Sequence, residues 1–178
     1  MKGITLIGMP GSGKSTIGKL LAKRLKWRFI DLDVLINQKE GMAVDEILEQ
    51  RGEKELLRLE NSYTLRQDFS DVVFSPGGSI IYSDEAMGKL KKDTTIIYLE
   101  TPLKEIEKRI EKRRRKQAII GFKEKGIADL YKERTPIYKL NADHIIDCSV
   151  FNRDLGHNSL INYIILLLSV PINNPPKL

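Results

Sequence analysis

Gly8 to Ser15 spells G-x-x-x-x-G-K-S. Glycines at this spacing let the backbone curl until its N–H groups point inward at phosphate oxygens. Lys14 then carries a positive charge to the β and γ phosphates of a nucleotide, and the Ser15 hydroxyl is a ligand for Mg²⁺. A helix beginning near Lys14 adds the positive end of its dipole. The residues expected to hold a nucleotide are therefore Gly8, Pro10, Gly11, Ser12, Gly13, Lys14, Ser15 and Thr16. Further along, Asp31 and Asp33 form D-x-D. A carboxylate there can hold Mg²⁺ through water or accept the proton of an attacking hydroxyl. Solvated turn acids look the same; the position one strand after the phosphate loop favours chemistry. Ser75 to Ser79 reads SPGGS, whose adjacent Gly77 and Gly78 either let a ligand approach the backbone closely or simply make a turn. Lys108 to Lys116 is strongly basic and contains Arg115. It is either a solvated helix face or, with Gly121 and Gly126 as hinges, part of a lid that closes on phosphates. Arg134, in YKERTPIY, could reach the same site from a helix that follows the lid.

Apolar runs and helical patterns alternate along the chain and supply a frame for these groups. Ile4–Ile7, Arg28–Asp33, Asp71–Ser75, Thr94–Glu100 and His144–Asp147 read as strands. Lys14–Lys26, Val44–Gln50, Glu53–Asp68, Asp84–Lys91, Pro102 to about Arg113, and Ile127–Tyr138 read as helices. Gly52 separates the second helix from the third. Short apolar strands divided by helices argue for βαβ units and a parallel sheet. Ligands of such sheets sit at the carboxyl ends of the strands. There the sequence places GMPGSGKS, DLD and SPGGS.

The chain has 178 residues, 41% hydrophobic and 30% charged, with a formal net charge of +6. That length fits one domain with a full core. The expected division is a single phosphate-loop domain over 1–150 and a C-terminal helix with a disordered tail over 151–178. A single cysteine, Cys148, excludes an internal disulfide and suits a reducing, cytoplasmic setting. The longest apolar run, Leu160 to Val170, is shorter than the about 20 residues of a membrane span, so no membrane role is expected. It reads as a helix covered either by the domain's own sheet or by a second chain, so the protein is expected to be a monomer, with a dimer through this segment as the other option. Excess charge concentrated in one stretch suits a polyanionic nucleotide, and no nucleic-acid partner is expected.

Taken in order, GMPGSGKSTIGKLLA, FIDLD, GEKELLRLE, SPGGSIIYS, TIIYLETPL and ERTPIYKLNADHIID resemble shikimate kinases, small P-loop kinases of the nucleoside-monophosphate-kinase type. The resemblance covers about Met1 to Ser149. It implies an α/β fold of three layers, with a five-stranded parallel sheet, a helical substrate-binding region at about 32–70 and a lid at about 112–126. It implies ATP and Mg²⁺ as cofactors, and transfer of the γ-phosphoryl group to a hydroxyl of shikimate. By position, Lys14 and Ser15 would serve ATP and Mg²⁺, with Asp31 near the metal and Lys14 and Asp33 in catalytic roles. Asp33, Gly77, Gly78 and Arg134 would meet the acceptor, and Arg115 the phosphates.

The acceptor half departs from the family pattern. In the family's G-E-x-x-F-R-x-x-E the arginine grips the acceptor carboxylate; counted from Gly52 and Glu53, that position is Leu57 and the closing acid is Glu60. Arg58 lies one residue late, about 100° around a helix, and is the candidate replacement. The third glycine of the family's triplet is Ser79, and its Pro-Leu-Leu reads Ala118-Ile119-Ile120. Three functions fit: a shikimate kinase, a kinase of another small hydroxylated metabolite, or a nucleotide-dependent regulatory or nucleic-acid-binding protein without kinase activity.

Overall fold

The computed structural model describes residues 2–112, 118–151 and 156–169. Arg115, Lys116 and the tail from residue 170 onward lie outside these residues. Five strands, β1 (Gly3–Ile7), β2 (Arg28–Asp31), β3 (Val72–Ser75), β4 (Thr94–Glu100) and β5 (His144–Asp147), form one sheet in the order β2-β3-β1-β4-β5. All pairings are parallel, with β1 held between β3 and β4 over Thr5↔Phe74 and Thr5↔Ile96. Central strands covered on both faces read as continuous apolar runs, and β1 and β3 are buried throughout.

Alternation along β4 divides the core. Ile96 and Tyr98 face one layer, with Ile7 and Phe74; Ile97 and Leu99 face the other, with Ile4, Leu6 and Val73. The first layer is closed by α2 (Leu32–Glu40), α3 (Val44–Leu65), α4 (Asp84–Asp93), α5 (Leu103–Glu111) and α6 (Phe122–Asn141). The second is closed by α1 (Lys14–Leu25) and α7 (Gly156–Ser169). The result is the three-layer α/β arrangement that the resemblance implied.

The strand expected over Arg28–Asp33 stops at Asp31, and Asp33 lies in the first turn of α2. Asp31 makes the change: its carboxylate caps α2, accepting from Val34 N at 3.4 Å. Leu32 and Ile36 bury one side of that helix, and Gly41, at φ 65°, ends it. The break expected at Gly52 is present as a kink inside α3 (φ 82°, ψ 174°), and α6 has a like kink at Gly126 (φ 70°, ψ 173°). The apolar C-terminal helix is covered on one side by its own domain: Leu160, Ile161 and Ile164 are buried among Ile17, Leu21 and Val73. Its other side leaves Tyr163 and Leu166 exposed. Among the described residues no helix is long and apolar enough to cross a membrane.

Candidate active site

The carboxyl ends of β1, β2 and β3 open onto one cleft. Its phosphate side is the loop between β1 and α1. Gly11 (φ 85°) and Gly13 (φ 103°) take backbone conformations that side chains resist, and these turn the loop over the start of α1. Pro10, Gly11, Gly13, Lys14, Ser15 and Thr16 line the cleft. Gly8 and Ser12 lie beneath it, buried. Lys14 Nζ donates to Gly8 O (2.8 Å) and Met9 O (3.1 Å), so a nearly buried cation is spread across the loop. Ser12 Oγ is buried with no hydrogen-bond partner. An inward-turned loop, a buried lysine and a spare hydroxyl at a helix N-terminus fit a polyphosphate anion. Ser15 and Asp31 open onto the same cleft and present the oxygen donors that Mg²⁺ prefers.

Arg109, on α5, was not singled out in the sequence. Its Nη1 donates to Gly11 O (3.1 Å) and Ser12 O (3.4 Å), bracing the loop from α5. It lies 97 residues from Ser12 in the chain, so no local pattern signals the contact.

The acceptor side is built by α2, α3, the SPGGS turn and α6. Asp33, Leu56, Glu60, Gly77, Gly78, Ser79 and Arg134 line it. Arg134 is only 1% exposed. Its Nε donates to Tyr82 Oη (3.1 Å), its Nη2 donates to Ile120 O (2.7 Å), and its guanidinium lies over the Tyr82 ring at 5.2 Å. Its Nη1 lies beside Gly78, 3.2 Å from where a Cβ on that glycine would stand. The two glycines are thus needed for space: a side chain at Gly77 would run into Glu60 Oε1, and one at Gly78 would crowd Arg134.

Glu60 is a buried acid that sequence reasoning placed only as the end of a pattern. It is 3% exposed, and Ser79 Oγ lies 2.9 and 2.7 Å from its two carboxylate oxygens, donating to it. Burial, and then the charge of Asp33, push its carboxyl up to about 8, against the pull of Ser79, Arg134 and Lys14. Ser79 faces Glu60 across the cleft wall.

Arg58 does not join the cleft. Its side chain is 62% exposed and pairs with Glu55 at 2.7 Å. The reason is helical register: one residue of α3 turns the side chain by about 100°, and the inward positions are Leu56 and Glu60. Leu57 is half-buried against the core. Arg115 lies outside the described residues. The chain beyond it is anchored at the cleft, because Ile120 O receives Arg134 and Gly121 N donates to Glu53. A phosphate cradle, three carboxylates and a buried guanidinium therefore share one cleft.

A model of the shikimate kinase family matches residues 10–164. The shikimate kinase of Persephonella marina is 37% identical over 139 residues, covering 78% of this chain and 84% of that protein. That of Clostridium botulinum (strain Eklund 17B) is 39% identical over 145 residues, covering 80% and 86%. Among solved structures, the shikimate kinase of Acinetobacter baumannii in complex with shikimate is similar at a TM-score of 0.81, with 28% identity and 97% and 96% of the two chains covered.

Proposed function

This chain belongs to the shikimate kinase family, and we propose that it transfers the γ-phosphoryl group of ATP to a hydroxyl of shikimate with the residues gathered in this cleft. The observation that carries the proposal is that Lys14, Asp33 and Arg134 line one cleft, so a phosphate cradle, a carboxylate and a carboxylate-binding cation face the same space.

In this account the loop N–H groups and Lys14 hold the β and γ phosphates, and Thr16 and the start of α1 extend that cradle. Ser15 and Asp31 would hold Mg²⁺, Asp31 through water; when bound, the metal draws charge from the phosphates. Phosphoryl transfer depends on positioning and charge neutralisation more than on covalent chemistry with the protein. Asp33 orients the attacking hydroxyl and accepts its proton. Arg134 holds the acceptor carboxylate with its guanidinium, which Tyr82, Ile120 and Tyr138 fix in place beside Gly78. Gly77 and Gly78 leave room for the acceptor to touch backbone. Arg115 remains a proposed phosphate contact. We take the enzyme to act as a cytoplasmic monomer on a small metabolite, without nucleic acid; its single half-buried thiol, Cys148, suits a reducing compartment.

A second acceptor class is supported by one observation: Arg58 faces solvent, so a single arginine, Arg134, lines the acceptor side among the described residues. The test is ADP release from Mg-ATP with and without shikimate and with a panel of hydroxy acids and polyols. Shikimate-dependent release that Lys14→Ala lowers about 10²- to 10³-fold, in a variant that still folds, supports the proposal. Release that only another hydroxylated compound stimulates moves the function to that compound.

A further inference from the structure

An acid and a guanidinium share the acceptor wall without pairing. Glu60, from α3, lies against Gly77, and Arg134, from α6, lies against Gly78. No ion pair joins them among the described residues, although Glu60 feels the charge of Arg134. What holds Glu60 on its side is Ser79 Oγ, at 2.9 and 2.7 Å from its oxygens. An acceptor carboxylate has one guanidinium to bind on this wall, and a carboxylate of the protein that reached it first would cancel it.

We propose that Ser79 is a positioning residue for the acceptor: its hydroxyl ties the Glu60 carboxyl to the Gly77 side of the cleft and keeps it off Arg134, leaving the guanidinium to a carboxylate on the acceptor. The proposal rests on the carboxylate-bearing acceptor proposed above. Charge supports the geometry. The groups that face Glu60 are Asp33 on α2, Lys14 on α1 and Arg134 on α6, and burial with Asp33 keeps a proton on it near neutral pH. A protonated, tethered Glu60 leaves the acceptor wall positive; an ionised or freed one leaves it neutral.

The test compares the wild type with Ser79→Ala, Glu60→Gln and the double variant, by shikimate KM, Mg-ATP KM, kcat and melting temperature. Ser79→Ala is expected to raise the shikimate KM about fivefold, the factor that one lost hydrogen bond supports, with the ATP KM and melting temperature unchanged. In the Glu60→Gln background, where no charge remains to be kept off Arg134, Ser79→Ala should change the shikimate KM less than twofold by the same reasoning. An unchanged shikimate KM in Ser79→Ala, or a parallel rise in both KM values with a lower melting temperature, overturns the proposal. A readout without any acceptor separates it from the choice of substrate. Carboxyl ¹³C NMR follows the titration of Glu60, with Glu60→Gln assigning the signal. If Ser79 is a tether, Ser79→Ala frees the carboxylate to pair with Arg134 and its midpoint falls. A midpoint that rises or stays fixed means the carboxyl never moves toward Arg134, and the proposal fails even if shikimate is turned over. A wild type inert toward shikimate whose Glu60 midpoint falls on Ser79→Ala would overturn the substrate and keep the tether.

Discussion

Replacing Glu60 by glutamine removes an acid that the fold keeps protonated. The folded carboxyl titrates at about 8 and the ordinary value is 4.5. Between those two pH values the folded chain retains a proton that the unfolded chain has released. The unfolded state binds fewer protons there, so the wild type loses stability as pH rises through this window. At about 1.4 kcal/mol for each pH unit, and with the folded value good to about one unit, the loss over the window is about 3 to 6 kcal/mol. Glutamine is nearly isosteric, accepts the same hydrogen bond from Ser79 and has no proton to lose. The stability difference between Glu60→Gln and wild type should therefore be small near pH 4.5 and should grow in favour of the variant by about 3 to 6 kcal/mol toward alkaline pH. Guanidinium denaturation at a series of pH values measures it. Curves that stay parallel from acid to alkali would refute the reasoning, because they would mean that Glu60 ionises normally in the folded protein.

Asp33→Asn should lower kcat about 10²- to 10⁴-fold, the usual worth of a positioned base, while Mg-ATP binding measured by calorimetry changes little; equal losses in both would make Asp33 structural. Arg134→Lys should raise the shikimate KM by about tenfold or more, because lysine cannot reproduce the planar fork that serves Tyr82, Ile120 and an acceptor carboxylate together; an unchanged KM would remove Arg134 from the acceptor site. Gly77→Ala should lower the melting temperature and abolish acceptor saturation, since its methyl group would meet the Glu60 carboxyl; a fully active variant would show that this wall is not rigid.

The sequence made the phosphate side legible because its chemistry is local. Eight consecutive residues, Gly8 to Ser15, carry the turn, the lysine and the hydroxyl, and the flanking strand and helix are strongly patterned. β4 is found at its expected bounds, Thr94–Glu100, because β-branched and apolar residues run through it unbroken. α2 was hidden because Asp31 served two readings, as the end of a strand and as a helix cap; Leu32 and Ile36 four apart, with Gly41 as a stop, were the signal for it. The acceptor side was harder because its contacts are remote in sequence. Glu60 and Ser79 lie 19 residues apart, and Arg134 reaches Tyr82 across 52. Neither pair has a spacing that a single sequence reveals. Arg58 was attractive as the nearest arginine to the expected place, but a helix fixes direction residue by residue, and its neighbours Leu56 and Leu59 already take the buried side.

The most direct test of the account follows the phosphoryl group itself. ATP labelled at the γ position is incubated with the full chain, Mg²⁺ and shikimate, and the products are separated and identified by mass spectrometry. The account predicts label in a monophosphorylated shikimate, formed in step with ADP and lost in Lys14→Ala and Asp33→Asn. Label that remains in ATP, passes only to water, or enters a different hydroxylated compound in preference to shikimate would contradict it.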